Sequence, residues 1–313
     1  MFDEHEVSFL FQPFFITIVT IFFMSVLFRW FFKSSNKSEN LPPSPPKLPI
    51  IGNLHQIGIF RHHSLSDLAK RYGPLMLLHF GKVPVLIVSS ADAAREVMKT
   101  HDIIFANRPK STPFEILSFG CKDVTMAPYG DYWRQIRSIC VLHLLSNKQI
   151  HYFNNIRAEE AALMVKKIEV CASSSSPINL SQILITLTND IVCRIFFGRK
   201  YSGEDDGSNK FRKYFDNFSK VGSSFHVGDF IPWLGWVSHL NGLNARIMKT
   251  AKDLDNFLDG VVEEHEKRRS AQVVEDDHSK DFVDVLLWVQ KQNVFGFPID
   301  RVIIKAIILV STN

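Results

Sequence analysis

Apolar and polar positions recur along this chain with a helical period over most of its length, a strand period once, and no polar period at all near the start. Residues 9–28 read Phe-Leu-Phe-Gln-Pro-Phe-Phe-Ile-Thr-Ile-Val-Thr-Ile-Phe-Phe-Met-Ser-Val-Leu-Phe and carry no charge. About 20 such residues suffice to cross a hydrocarbon core of ~30 Å. Asp3, Glu4 and Glu6 precede the run, and Arg29, Lys33 and Lys37 follow it. Basic residues favour the cytoplasmic side, so the pattern predicts an anchor with the rest of the chain facing the cytosol. A cleaved signal is the rival reading. The acidic start and the bulky Arg29–Phe32, where a small-residue site would stand, weigh against it. A buried core helix is a third reading, disfavoured by the terminal position and the flanks.

After a polar stretch at 33–40 comes Leu-Pro-Pro-Ser-Pro-Pro-Lys-Leu-Pro-Ile-Ile-Gly-Asn at 41–53. Five prolines in eight residues exclude helix interior and favour a stiff extended strut. Whether they pack on the body or merely link is open at this level. The spacing predicts a helix over His62–Tyr72, ended by Gly73-Pro74, and a hairpin of Leu75–Phe80 with Val83–Val88 around Gly81-Lys82. Ser90 or Asp92 can cap the next helix, which runs to Lys99. A short connection follows at 102–107, then loop with a short helix at 111–127. Further helices are predicted at about 131–144, 147–170, 180–197, 211–223, 241–269, 281–290 and from 302 onward. Polar loops are expected at 199–210 and 270–280, and the aromatic stretch 229–236 separates two of the helices. The expected class is mainly α with small β-sheets. The organisation read from this is an anchor at 1–32, a spacer and proline-rich hinge at 33–53, and a body at 54–313.

Composition excludes some functions. The net charge of +4, from 36 basic and 32 acidic side chains, with no basic cluster, argues against a nucleic-acid partner. Cys121, Cys140, Cys171 and Cys193 have neither CxxC nor zinc-site spacing and read as reduced thiols, although two disulfides are formally possible. The 12 histidines form no HExxH. His62-His63 reads as a solvated helix start and His143 as surface or satisfied core. The acidic runs Glu204–Asp206 and Glu275–Asp277 read as hydrated loops.

Two features remain. Trp133 and Arg137, four residues apart, share one helix face, so an aromatic N–H donor and a guanidinium point the same way. Spacing alone reads this first as a structural stack or internal salt bridge, and second as a grip on an acidic ligand. The stretch containing Phe230, Pro232, Trp233 and Trp236 reads as core, as a ligand entrance, or as a segment dipping into a bilayer interface.

Taken together, the anchor with Pro-Pro-Ser-Pro-Pro-Lys-Leu-Pro-Ile-Ile-Gly-Asn-Leu-His, Tyr72-Gly-Pro-Leu, Val88-Ser-Ser-Ala-Asp-Ala-Ala-Arg-Glu, Phe105-Ala-Asn-Arg-Pro109 and Ala127-Pro-Tyr-Gly-Asp-Tyr-Trp-Arg-Gln-Ile-Arg137 resemble the first part of a plant microsomal cytochrome P450 of the A type. The resemblance covers residues 9–309. It implies a cytochrome P450 fold and haem b (iron protoporphyrin IX) as cofactor, with Trp133 and Arg137 donating to a haem propionate. It also implies a pocket for a small apolar substrate that draws on about 110–122 and 211–250. Phe114, Ile116, Leu117 and Phe119 are the pocket candidates. Arg134 is expected to face outward, near where an electron donor docks. The implied activity is a haem-thiolate monooxygenase with NADPH-derived electrons delivered by NADPH–cytochrome P450 reductase. The implied location is the endoplasmic reticulum membrane, single-pass, with the body in the cytosol.

The sequence also departs from the family pattern. Val310-Ser-Thr-Asn313 stands where an acidic, glycine-containing stretch with a threonine is expected, so Thr312 is not assigned that threonine's role. The Glu-x-x-Arg pair and the cysteine-bearing haem loop are not found, and none of the four cysteines has that loop's context. The expectation is an oxidoreductase sequence in part, a short membrane-anchored product without catalysis, or a non-enzymatic membrane scaffold. No residue is assigned as catalytic or as an iron ligand.

Overall fold

The computed structural model describes residues 17–26, 41–201, 206–271, 281–292 and 298–311. The spacer at 33–40, both flanks of the uncharged run, Glu204, Asp205, Glu275–Asp277, Thr312 and most of the 270–280 loop lie outside them. The architecture is mainly α with one two-stranded sheet, and the chain forms two compact units, Met1–Asp102 and Ile103–Asn313.

In the first unit, α1 (Thr17–Val26) is apolar and exposed along its whole length. Helix α2 (Arg61–Tyr72) stops where Gly73 adopts φ 100°, a conformation that favours glycine. Strands β1 (Leu75–Phe80) and β2 (Val83–Val88) pair antiparallel, from Leu75 opposite Val88 to Phe80 opposite Val83. The two-residue link places Gly81 at φ 59°. Ser90, rather than Asp92, caps α3 (Ala91–Arg95) by accepting from the Ala93 N–H at 3.3 Å.

The proline run does dock on the body, and its chemistry explains how. Prolines offer carbonyls and no N–H groups, so such a strap pairs only with donors. The Leu77 N–H donates to the Pro43 carbonyl at 2.9 Å, and Gln56 Nε2 donates to Pro46 at 2.9 Å. Fully buried Asn53 joins strap to strand. Its Nδ2 donates to Pro45 and Pro46 at 3.4 and 3.2 Å, its Oδ1 accepts from His79 N at 2.8 Å, and its own N–H donates to the His79 carbonyl at 2.6 Å. Gly52, at φ 63°, passes so close that a Cβ there would collide with the His79 carbonyl. The outer edge of β1 is thereby covered.

The second unit is a helical bundle. Helix α4 (Asp102–Phe105) opens at the junction, followed by α5 (Thr112–Leu117) and α6 (Asp131–Ile139), which continues into one wider turn over Cys140–Leu144. The helix predicted over 147–170 is two, α7 (Asn147–Tyr152) and α8 (Asn154–Ser173), broken at buried Phe153. Next come α9 (Leu180–Phe197), α10 (Asp206–Gly222), α11 (Val227–Phe230), α12 (Val237–Leu240), α13 (Leu243–Ala271), α14 (Phe282–Gln292) and α15 (Arg301–Ser311). Helix α10 starts earlier than its apolar pattern predicts, inside the expected loop. Gly198 closes α9 in the left-handed conformation, as its position suggests.

Among the described residues, α9 alone is long and apolar enough to cross a membrane. It belongs to the bundle instead. Cys193, Phe196 and Phe197 lie in the core, and Arg194 pairs with Glu159 and Glu160 of α8 at 2.7 and 2.5 Å. The central helix α13 buries Ile247, Leu254, Leu258, Val261 and Val262 along one face. Helix α15 is buried on nearly every side, from Ile303 to Leu309.

One buried polar joint ties α13 to α14. His265 Nδ1 lies 2.7 Å from the Val261 carbonyl, which only accepts, so Nδ1 carries the proton. Nε2 faces Asp281 Oδ2 at 2.8 Å, and Asp281 Oδ1 caps α14 by accepting from the Asp284 N–H at 2.9 Å. Arg268 approaches Asp281 at 3.8 Å. His265, Asp281 and Asp284 thus form a close set in space that their spacing along the chain conceals.

Burial pulls the His265 pKa down, but its hydrogen bond to Asp281 and the Asp281 charge outweigh burial, and the net shift is upward. Burial, then the Asp281 charge, pushes the Asp284 carboxyl up. A raised histidine stabilises the fold below its unfolded pKa of about 6.5, and that contribution is lost as pH rises through the folded value. The raised Asp284 acts with the same sign. The melting temperature of the wild-type chain relative to that of His265→Gln should therefore fall as pH rises from roughly 6 to 8 in a thermal-melt series.

The strap yields a second expectation. Asn53→Ala removes four side-chain hydrogen bonds and strands the carbonyl of buried Pro45 and the His79 N–H. This should cost about 2–4 kcal/mol. Hydrogen exchange read by mass spectrometry should show β1 amides losing protection while α13 amides keep theirs.

Candidate functional site

Helix α6 presents two faces. Ile136 and Ile139 are fully buried, and Trp133 and Arg137 line the other side. The Arg137 guanidinium lies over the Trp133 ring, 5.2 Å from its centroid, a cation–π stack. Trp133 is half-buried and Arg137 exposed. Among the described residues no carboxylate pairs with Arg137. The pair is assembled as the spacing predicts, but its donors differ. The indole N–H donates to the Val124 carbonyl at 2.8 Å, which leaves the guanidinium as the outward-facing donor. Tyr129 packs against Trp133 with ring centroids 5.5 Å apart. Arg134 faces outward as expected, over Tyr129 and paired with Asp131.

The loop that receives the indole is an organised turn. Three of its carbonyls take side-chain donors from elsewhere: Lys122 from Tyr132 Oη at 2.7 Å, Val124 from Trp133, and Thr125 from Arg108 Nε at 3.0 Å. Burial, then the charges of Asp300 and Asp123, pushes the Tyr132 phenol up to about 12, so it serves as a donor. At the centre of the turn, Asp123 Oδ1 accepts from Thr125 N at 2.7 Å, Thr125 Oγ1 at 2.5 Å and Met126 N at 2.8 Å. Sequence reasoning passed over Asp123. The only signal was Asp-x-Thr spacing, a common turn former.

The pocket candidates lie around the second unit's core. Leu117 is fully buried in it, and Phe114, Ile116 and Phe119 pack against it. Phe114 meets Phe218 of α10 edge-on at 6.2 Å, and Gly222 lies close enough that a Cβ would stand 3.2 Å from the Phe114 ring. Phe119, at φ 55°, lies under the Lys305 ammonium, which is 5.3 Å from the ring centroid. Thr112, at the start of α5, donates from N and Oγ1 to Asp229 at 3.1 and 2.5 Å. The two segments read as pocket contributors are therefore brought into contact. A cleft of about 400 Å³ lined by Gln56, Ser64, Asp67, Leu68, Arg71 and Tyr72 holds none of these residues. In the 229–236 stretch, Trp233 and Trp236 are more than half exposed, which removes the core reading.

The four cysteines are free. Burial raises the Cys140 thiol to about 11 and, with the Asp190 charge added, the Cys193 thiol to about 12. Cys121 is raised as well, chiefly by burial.

Comparison with known proteins places this arrangement. The cytochrome P450 family model matches residues 42–304. Cytochrome P450 736A117 of Prunus mume is 51% identical over 311 residues, covering 98% of this chain and 59% of that protein. Cytochrome P450 71A22 of Arabidopsis thaliana is 49% identical over 94% of this chain and 57% of its own length. Norfluorocurarine oxidase of Strychnos is 48% identical over 92% and 57%. A zebrafish cytochrome P450 structure with progesterone superposes with a TM-score of 0.63 at 22% identity, over 81% of this chain and 55% of that one, which supports the fold. The chain thus spans under two thirds of the length of these relatives, and over that span it belongs to the cytochrome P450 family.

Proposed function

We propose that this sequence is the N-terminal portion of a haem-thiolate monooxygenase that inserts one oxygen atom from O2 into a small apolar plant metabolite. Family membership supports the reaction class. The observation that carries the site is the exposed Arg137 guanidinium, stacked on Trp133 and lacking an acidic partner among the described residues. A cation held on an aromatic platform suits the propionate rim of haem b. Arg137 supplies the charge, and Trp133 fixes the guanidinium's plane while Val124 holds the indole. When bound and ligated by a thiolate, haem supplies oxygen activation.

The chain's residues suit the rim and not the iron. Burial raises the Cys140, Cys193 and Cys121 thiols, and none of the four cysteines has the sequence context of the family's haem loop. The alternative reading is a non-catalytic membrane-anchored product or scaffold. Electrons from NADPH would reach the longer protein through its reductase, docking near outward-facing Arg134. Phe114, Ile116, Leu117 and Phe119 shape the apolar substrate region. Exposed α1, with exposed Phe225, Trp233, Trp236 and Leu240, supports contact with the endoplasmic reticulum bilayer.

Two measurements test this. The reduced chain exposed to haem and carbon monoxide should lack the strongly red-shifted Soret band of thiolate ligation; its appearance would refute the split between rim and iron ligand. A disulfide reagent at pH 8 should leave Cys140 and Cys193 unlabelled until the chain is denatured.

A further inference from the structure

Helix α8 ends in four serines and a proline, Ser173-Ser-Ser-Ser-Pro177, and the way it ends singles out one hydroxyl. Ser175 sits at φ 50°, in the left-handed region, and the N–H groups of Ser175 and Ser176 turn back to the Ala172 and Cys171 carbonyls at 3.1 and 3.0 Å. This is a left-handed C-cap, with serine at the position that glycine usually takes. Ser173 Oγ donates to the Val170 carbonyl at 2.8 Å, and Ser174 Oγ lies 3.0 Å from the Cys171 carbonyl. Among the described residues, Ser176 Oγ meets only Ser174 Oγ, at 3.1 Å. Pro177 disfavours helical backbone at Ser176, so the pair leaves the helix extended. Every residue from Ala172 to Leu180 is exposed.

Three hydroxyl residues of the chain stand directly before a proline: Ser44, Thr112 and Ser176. The fold closes two of them. Pro45 is buried in the strap that docks on β1, and Thr112 Oγ1 is held by Asp229 at 2.5 Å. Of the three, Ser176-Pro177 alone presents both residues to solvent in a loop. A kinase that takes an extended substrate with proline after the acceptor can therefore reach this one pair. We propose that Ser176 is a phosphorylation site for a proline-directed serine/threonine kinase, and that the phosphate loosens the end of α8. The Ser176 hydroxyl proton passes to the kinase's base, Oγ bonds to the γ-phosphorus of ATP, and the bond from that phosphorus to the bridging oxygen breaks, leaving ADP. The new charge, about −1.5 to −2 at pH 7, then stands at the negative end of the helix macrodipole. The last turn of α8 holds no basic residue to offset it. In a cell the proposal rests on the body facing the cytosol, where ATP and such kinases are found; in vitro it does not.

The test treats the full chain in mild detergent with a mitogen-activated protein kinase and ATP, and maps phosphate by mass spectrometry. Phosphate should appear on Ser176 and be lost in both Ser176→Ala and Pro177→Ala, changes at exposed positions that leave the core untouched. Phosphate on Ser44, Thr112 or another serine in place of Ser176, or no phosphate at all, overturns the site and leaves Ser176-Pro177 as an ordinary helix stop. Phosphate on Ser176 that survives Pro177→Ala overturns the proline-directed reading. The consequence for α8 has its own readout. Hydrogen exchange of the Ser174, Ser175 and Ser176 amides should quicken about two- to fivefold on phosphorylation, while α13 amides keep their protection. The effect should shrink in high salt, which screens an exposed charge. Unchanged exchange in a fully phosphorylated chain overturns the loosened cap, whatever the labelling shows.

Discussion

An ammonium inside an apolar helix has to be answered by opposite charge, and in this fold that demand falls on Lys305. Helix α15 is otherwise buried hydrocarbon from Ile303 to Leu309, and Lys305 is 6% exposed. Asp255 and Asp259 of α13 meet its ammonium at 2.5 and 3.1 Å, and Arg301 one turn earlier meets Asp259 at 2.9 Å and Glu266 at 3.1 Å. Lys305 is buried while Asp255 and Asp259 keep one side in solvent, so the pair draws the ammonium to the edge of α13. The register of α15 on α13 is therefore tightly specified. That register places Phe119 under the ammonium and Asp300 within 3.2 Å of Lys122. Lys122 belongs to the turn that holds Trp133. A charge requirement in the core thus propagates, through contacts between named side chains, to the exposed face of α6.

The two units meet the cost of buried backbone in related ways. In the first, a strap rich in prolines brings acceptors almost without donors, and Asn53, Gln56 and Leu77 supply the missing N–H groups. In the second, the 122–125 turn exposes carbonyls that no helix or strand satisfies, and Tyr132, Trp133 and Arg108 supply the donors. Irregular backbone is rigid in both places because side chains complete it. Both Asn53 and Asp123 are fully buried, and each serves as the branching point of its segment.

How much of this was legible follows from the range over which each cause acts. Periodicity reaches a few residues, so α2, the β1–β2 hairpin, α14 and the apolar α15 could be read directly, and so could the Trp133–Arg137 face. The indole's acceptor, nine residues back on a non-repetitive loop, could not, because nothing in spacing says which carbonyl points where. Thr112 and Asp229 are 117 positions apart, and His265 and Asp281 are separated by a loop, so their pairing exists only once the bundle has formed. Leu117 shows a different limit. Apolar residues in a pocket wall and in a core have the same composition, and only packing shows that Leu117 is fully buried. The exposed Trp233 and Trp236 are the converse case, since aromatic composition alone allowed burial.

The proposed rim contact and an iron ligand make different physical demands. A propionate rim is recognised by charge and shape at the edge of a helix, where a guanidinium can stay hydrated until it is used and an aromatic ring can hold its plane. An iron thiolate needs an anion stabilised in place, by a helix N-terminus, by nearby cations or by the metal itself. The second unit's core opposes that. It is lined by Phe196, Phe197, Phe282 and the aliphatic side chains of α13 to α15, and it raises the thiols it encloses. The same packing leaves Arg137 on the surface, where an acid can reach it.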